Sequence, residues 1–250
     1  MFEQFCFPDE GLICFTGGGG KTTLMLRLAR FLQRRGSVVV TSTVKMSESE
    51  IDPSETLVGD VSPSAIKNKI EERKRVFLFQ ELKNNKYWGF EPGVVASFYR
   101  RKLASYVLVE ADGSRQLPLK GYAEHEPPLP SLCDYQMIVV GLDALLQPMN
   151  ESTVARFDIL RKFLDVKDRD FLTPPLLIKL LTSPEMYLKN SPSGARCFLC
   201  LNKADLMDPE ILANWVGVLR VGLQGYCGIA VTSRSGGCFY PANGQNIFKR

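Results

Sequence analysis

The sequence predicts an α/β domain with a mostly parallel sheet and helices on both faces. Three observations carry that expectation. A short apolar run leads through four consecutive glycines into a lysine and an amphipathic helical stretch. Further apolar runs of strand length recur at 37–41, 76–79, 106–109, 136–140, 197–201 and 228–231, with helical patterns between many of them. That alternation belongs to parallel sheets covered by helices. Polar and charged residues also cluster just after these runs, where strands of such sheets present ligand-binding groups.

Leu12 to Phe15 forms the first predicted strand. Thr16, Gly17, Gly18, Gly19, Gly20, Lys21, Thr22 and Thr23 follow, and Leu24, Leu28, Phe31 and Leu32 then recur at helical spacing as far as Arg35. Gly36 supplies a helix stop. Strand, glycines and helix make the context of a phosphate-binding P-loop. Glycine admits positive φ, so backbone N–H groups can approach an anion, and the helix N-terminus adds its dipole. Lys21 would meet the β- and γ-phosphates and Thr22 would bind Mg²⁺. Phe15 stands where G-x-x-x-x-G-K-[ST] has its first glycine. A glycine-rich turn without function is the rival reading, and the agreement of context with Gly-Lys-Thr disfavours it.

The second strand, Ser37 to Thr41, runs into Thr41-Ser-Thr-Val-Lys45. Thr43 and Lys45 would there touch the γ-phosphate or Mg²⁺, or form an ordinary polar loop. Helices are predicted at 63–73 and 92–103. The aromatic stretch between them, 84–89, is either a surface over the site or a packed turn. Tyr106 to Val109 is a strand that ends in Glu110-Ala-Asp-Gly113. A carboxylate at such a strand tip holds Mg²⁺ in P-loop proteins. Glu110 is the expected metal acid, and Asp112 would share the metal or orient water. Gly113 would offer its N–H to the γ-phosphate. Ser114 to Pro127 lacks periodicity but carries Ser114, Arg115, Lys120, Glu124, His125 and Glu126. By residue type these suit anion binding, acid–base work or a metal, and a solvated loop is the default. Residues 151–190 look helical, broken at Pro174-Pro175, and form an expected insertion beside the sheet within one domain spanning 1–250.

Cys197 to Leu201 leads into Asn202-Lys203-Ala204-Asp205, the N-K-x-D pattern of guanine readers. Asp205 would accept from N1–H and the 2-amino group, which adenine cannot satisfy. Asn202 would hold the loop, and the Lys203 stem would lie along the ring. A helix opens at Asp208-Pro-Glu210 with Asp as N-cap. The last strand ends in Thr232-Ser233, a second contact to the base.

Composition narrows the function. The chain has 250 residues, 45% hydrophobic and 23% charged, with formal net charge +4, which suits a globular protein with a full core. The densest charge patch, Glu71 to Arg75, mixes both signs and does not predict nucleic-acid binding. The acidic N-terminal residues 1–10 lack a signal-peptide pattern and no run reaches membrane-span length, so a cytoplasmic location without a membrane partner is expected. One histidine excludes a multi-histidine metal site. Cys197 and Cys200 form a C-x-x-C, but on a strand residues three apart face opposite sides, so core cysteines are expected.

With these pieces in place the chain resembles the YqeC family, accessory proteins of selenium-dependent molybdenum hydroxylases. The resemblance lies in Thr16 to Thr23, Thr41 to Lys45, Val109 to Arg115, Leu117 to Lys120, Ala123 to Pro127 and Leu201 to Asp205. It departs at Ser42 and Val44, which break a threonine-rich run, and at Gln116, where the family usually has glycine. The resemblance implies a role for the 114–127 stretch and a part in maturing such a hydroxylase or inserting its selenium cofactor, with the hydroxylase or its cofactor as the expected partner. The expected activity is Mg²⁺-dependent binding and hydrolysis of GTP or ATP, with GTP preferred. Lys21 and the loop amides would stabilise phosphoryl charge, Thr22 and Glu110 hold Mg²⁺, and Asp112 position water. Two other classes fit the same residues: a phosphotransferase whose small acceptor sits at Arg115, Lys120 and His125, and a non-catalytic nucleotide-gated chaperone.

Overall fold

A computed structural model describes residues 2, 8–59 and 61–241. In chain order the elements are β1 (Gly11–Gly17), α1 (Lys21–Leu32), β2 (Val38–Ser42), β3 (Lys45–Ser47), β4 (Thr56–Val58), α2 (Pro63–Arg73) and β5 (Arg75–Phe79). They continue with β6 (Glu81–Lys83), β7 (Lys86–Trp88), α3 (Pro92–Arg100), β8 (Tyr106–Glu110), β9 (Leu119–Lys120), β10 (Tyr135–Gly141) and β11 (Val154–Ala155). The rest are α4 (Phe157–Leu164), α5 (Pro174–Thr182), β12 (Arg196–Asn202), α6 (Pro209–Gly222), β13 (Gly228–Thr232) and β14 (Gly237–Pro241). Nine strands form one sheet in the order β14-β13-β12-β10-β1-β8-β2-β5-β4. Every pairing in it is parallel except β13 with β14. The fold is therefore the expected α/β sheet, consistent with a P-loop NTPase.

Each central strand is buried along its length, which is why it is an unbroken apolar run. Alternate residues then sort to two faces. Ile13, Phe15, Val38, Val40 and Met137 meet Leu24, Met25 and Leu28 of α1 on one face. Leu12, Cys14 and Val107 meet Ile66 of α2 and Phe98 of α3 on the other. The register carries that second face leftward to Ile138 and Leu199, which meet Leu160 of α4, Leu177 of α5 and Leu219 of α6. The predicted helical insertion thus packs into the sheet's own core. Chain direction explains the division. The α1 connection runs from β1 toward β2, and the connections through β8, β10, β12 and β13 run the other way. Right-handed crossovers put the two sets on opposite faces. The reversal leaves a crevice at the carboxyl ends of β1, β8 and β10, where ligands bind in open α/β sheets.

Cys197 and Cys200 fall into the two opposite core clusters, as the strand period requires. Burial pushes the Cys197 thiol up to about 12 and the Cys200 thiol well up as well, so neither is poised as a thiolate. The stretch at 84–89 answers to both of its readings. Asn84 and Asn85, at φ 53° and 56°, turn β6 into β7. Tyr87 stacks on Phe79 in the core with ring centroids 4.6 Å apart, while Lys86 lines a surface cleft. Among the described residues no helix is long and apolar enough to cross a membrane. Most of the N-terminal stretch read for a signal peptide, residues 1 and 3–7, lies outside the described residues.

Candidate functional site

The glycine loop follows from β1. At the motif's first glycine position the strand still runs: Phe15 is fully buried and its carbonyl accepts the Ala111 N–H at 2.9 Å. The chain turns only afterwards, with φ of 95° at Gly17, 75° at Gly19 and 106° at Gly20. A Cβ on Gly19 would stand 2.2 Å from the Gly141 nitrogen, so no other residue fits against the end of β10. The amides divide in a way the motif does not announce. Gly17 N–H donates to Asp112 Oδ2 at 2.8 Å, Gly18 N–H to Val139 O at 2.8 Å and Gly19 N–H to Leu117 O at 2.9 Å. These three glycines are buried. Gly20, Lys21, Thr22 and Thr23 instead line the cleft. The N–H groups that open α1 have no intrahelical acceptors, so this end of the loop offers free donors to the cleft.

Lys21 sits beneath the loop. Its Nζ donates to Gly17 O at 2.7 Å and lies 3.0 Å from Asp112 Oδ1, with both side chains buried. Tyr122 OH donates to Asp112 Oδ2 at 2.7 Å. Oδ1 is close to the ammonium yet accepts no well-aligned hydrogen bond, so Lys21 holds it by charge. Asp112 therefore lies under the glycine loop and is absent from the cleft lining, although the sequence put it beside Glu110 as a metal or water ligand. Tyr122 and, at 3.9 Å from Oδ2, a second lysine, Lys120, also enclose it, and neither belongs to the strand-tip pattern.

Glu110 does reach the cleft. Thr22 Oγ1 donates to Glu110 Oε2 at 2.6 Å, so the hydroxyl at the start of α1 and the acid at the tip of β8 meet across the loop. Burial pushes the Glu110 carboxyl up, Lys21 and the Thr22 hydrogen bond pull it down, and Asp112 and Glu50 raise it further. Glu50, exposed overall but with its carboxyl raised by desolvation against the pull of Lys21, is an acid of this cleft that sequence reasoning missed. It lies on the connection after β3, with no motif to mark it. A hydroxyl and a carboxylate are hard oxygen donors of the kind Mg²⁺ takes, so Thr22 and Glu110 fit that ion. The cleft, about 500 Å³, is further lined by Lys45, Lys86, Gly113, Ser114, Arg115 and Lys203.

A smaller pocket of about 200 Å³ adjoins it and shares Gly20, Thr23 and Lys203. Asn202 ties the two together: its Nδ2 donates to Gly19 O at 2.7 Å, and its Oδ1 accepts from Thr232 Oγ1 at 2.7 Å. The loop-holding role expected of Asn202 has this geometry. Lys203, at φ 66°, pairs with Asp143 from the end of β10. Asp205 is exposed, and its Oδ1 accepts from the Arg234 N–H at 3.4 Å. Its carboxylate thus remains available to a ligand. Arg27 of α1 donates to Ser233 O at 2.7 Å and Arg234 O at 3.0 Å, fixing the far rim. An arginine on an amphipathic helix that also carries Arg30 gave no sign of this.

The 114–127 stretch splits. Lys120 is fully buried, with Nζ 3.0 Å from Glu126 Oε1 and 2.7 Å from Gly113 O. Arg156 closes on Glu126 through Nε at 3.0 Å and NH2 at 2.9 Å. Lys120 is thus engaged in an internal charge network and does not line the cleft. Glu124 and His125 are exposed and also outside the cleft. Arg115 and Ser114 do line it. Gln116 adopts φ 64°, a left-handed conformation that glycine takes without cost, so the backbone at this departure from the resembled pattern still suits glycine. Thr43 faces away from the cleft lining, donating through Oγ1 to Pro128 O at 2.8 Å, whereas Lys45 lines it.

A family model described as "YqeC protein" matches residues 13–158, which contain the loop, both acids and the 114–127 stretch. A protein of Escherichia coli (strain K12), described as "Uncharacterized protein YqeC", is 29% identical over 232 residues, covering 84% of this chain and 88% of the relative. With more than half of its length matched by that family model, the chain belongs to the YqeC family.

Proposed function

We propose that the protein binds and hydrolyses a nucleoside triphosphate with Mg²⁺, preferring GTP, and that this cycle serves maturation of a selenium-dependent molybdenum hydroxylase. The observation that carries the nucleotide reading is the Thr22–Glu110 contact at the opening of α1, above the Lys21 ammonium and beside the Asn202–Asp205 pocket. The base would lie in that pocket and the phosphates on the amides of Gly20 to Thr23. Lys21 would neutralise phosphoryl charge, held in place from below by Asp112 as a positioning residue. When bound, Mg²⁺ would supply charge neutralisation to the phosphates, with Thr22 and Glu110 holding it. The maturation role follows from the resemblance and is supported by family membership. Phosphate release from GTP and from ATP, with and without Mg²⁺, tests the activity. Release that is absent for both nucleotides would refute it.

Glu110→Gln keeps the shape of the side chain and the hydrogen bond to Thr22 while removing the charge. Turnover and Mg²⁺ affinity are expected to fall roughly 10–100-fold, as for other groups that orient metal ligands, with nucleotide affinity in the absence of Mg²⁺ little changed. Metal titrations followed by nucleotide fluorescence check this, and unaltered Mg²⁺ dependence would remove Glu110 from the metal site.

Asp205→Asn tests the base. An amide retains one acceptor but sets its NH₂ against the 2-amino group of guanine, whereas xanthine offers a carbonyl there. The preference for GTP over XTP is expected to fall by about tenfold or more, about 1.4 kcal/mol, in competition binding of GTP, ATP and XTP. Equal GTP and ATP affinities in the unaltered protein would show that the pocket does not read guanine.

A further inference from the structure

The two cavities meet at Gly20 and Thr23, but the larger one continues past the phosphate loop. The sheet order gives the direction. The base pocket lies at the ends of β12 and β13, to one side of β1, whereas Glu110 and the chain after β2 lie to the other. A triphosphate whose base filled that pocket would reach Gly20 to Thr22 and end facing Glu110. Beyond it remain Lys45, Lys86 and Arg115.

This far wall is built rather than incidental. β3 and β7 pair antiparallel, with Lys45 opposite Trp88, Met46 opposite Tyr87 and Ser47 opposite Lys86. Met46 and Tyr87 are buried in the core. The pleat therefore directs Lys45, Ser47, Lys86 and Trp88 to the opposite face, and of these Lys45, Ser47 and Lys86 line the cleft, together with the edge of Met46. The Lys45 ammonium rests 3.6 Å from the centre of the Trp88 ring, which fixes a charge that would otherwise wander. Arg115 arrives from the loop after β8 at φ 52°, in a turn closed by Leu117 N–H to Ser114 O at 2.9 Å. The other cations of the cleft have acids of their own: Lys21 has Asp112, and Lys203 has Asp143. Among the described residues Lys45, Lys86 and Arg115 form no ion pair.

We propose that this wall is a subsite for a second, small substrate carrying a phosphate or carboxylate, held by Lys45, Lys86 and Arg115 next to the terminal phosphate. The inference rests on the nucleotide reading above and turns it from simple hydrolysis toward phosphoryl transfer. In that transfer an acceptor oxygen bonds to the γ-phosphorus and the bond to the β,γ-bridging oxygen breaks. The electron pair leaves on the nucleoside diphosphate and the acceptor's proton passes to water in the open cleft. The sequence had assigned an acceptor to Arg115, Lys120 and His125; only Arg115 of those three lines the cleft.

The test loads the protein with Mg²⁺ and a non-hydrolysable β,γ-imido GTP, which fills the γ-phosphate position. Inorganic phosphate or malonate is then titrated in by calorimetry. The same titrations are run on Lys86→Ala and on Lys45→Ala/Lys86→Ala, whose side chains are exposed, so the fold does not depend on them. One equivalent of either anion is expected to bind, and the double variant to weaken it at least tenfold more than it weakens triphosphate binding. Phosphate without malonate would assign a tetrahedral oxyanion, and malonate without phosphate a carboxylate. Uptake of neither anion, uptake that the double variant retains, or parallel loss of anion and triphosphate would overturn the subsite. If the protein binds no triphosphate at all, the nucleotide reading falls by itself. The titrations on nucleotide-free protein then decide the subsite by the same dependence on the two lysines.

Discussion

Lys21→Ala is expected to lose triphosphate binding by more than 100-fold and also to weaken the fold. From the sequence alone the lysine serves only phosphate. Its neighbours add a second role, because the ammonium is the charge partner of a carboxylate with no exposure to solvent. Removing one partner of a buried pair leaves an uncompensated charge and costs about 3–5 kcal/mol. Asp112 keeps the Gly17 N–H and the Tyr122 hydroxyl, which places the expectation at the lower end of that range. Lys21→Met/Asp112→Asn separates the two roles. It removes both charges, and the asparagine oxygen can still accept from Gly17 and Tyr122. Urea unfolding should show the double variant recovering much of the lost stability, while nucleotide binding stays absent. Wild-type triphosphate affinity in either folded variant would refute the phosphate role. A double variant no more stable than Lys21→Ala would show that the pair contributes no coupling.

Glu126→Ala is the second large effect. It strands Lys120, which is fully buried, and releases Arg156 from a two-pronged contact. Asp112 Oδ2, 3.9 Å from the Lys120 ammonium, is too distant to replace the carboxylate at 3.0 Å. The expected loss is again about 3–5 kcal/mol, or roughly 10 °C in melting temperature for a chain of this length. The change should also reach the site, because Lys120 holds Gly113 O at the cleft edge. The neighbouring His125→Ala, on an exposed side chain, should stay within about 0.5 kcal/mol of the unaltered protein. Thermal melts of the two variants check the contrast. Equal effects would mean that the charge network does not hold this segment.

The contrast between Glu126 and His125 shows where reading the sequence stopped. In Glu124-His-Glu126 the three residues look alike as candidates, and histidine draws attention because it titrates near neutrality. Which of them turns inward is set by Lys120 and Arg156, the latter 30 residues further along the chain. Glu110 and Asp112 present the same problem. Both follow one buried strand, and both were legible as acids near a phosphate loop. Their division into a cleft acid and an anchor beneath Lys21 depends on Tyr122 and on the positions of Gly17 and Thr22, 95 and 88 residues away in sequence. The wall of Lys45 and Lys86 was half seen. Lys45 was singled out as a residue at a strand tip, but Lys86 lies on a three-residue strand too short to show a period.

The sequence by itself determined the features that rest on local geometry. The strand–glycine–helix loop, the parallel sheet, the opposite faces of Cys197 and Cys200, and the Asn202 position beside the loop all follow from periods of 2 and 3.6 and from glycine's access to positive φ. Tertiary structure alone decided which polar residues are ligand-facing and which are internal partners. That choice depends on burial, and a carboxylate or an ammonium stays buried where a countercharge reaches it, six residues away for Lys120 and Glu126 but from a distant segment for Lys21 and for Arg156. No window of the chain contains both halves of such a pair when Lys21 is matched to Asp112 and Arg156 to Glu126.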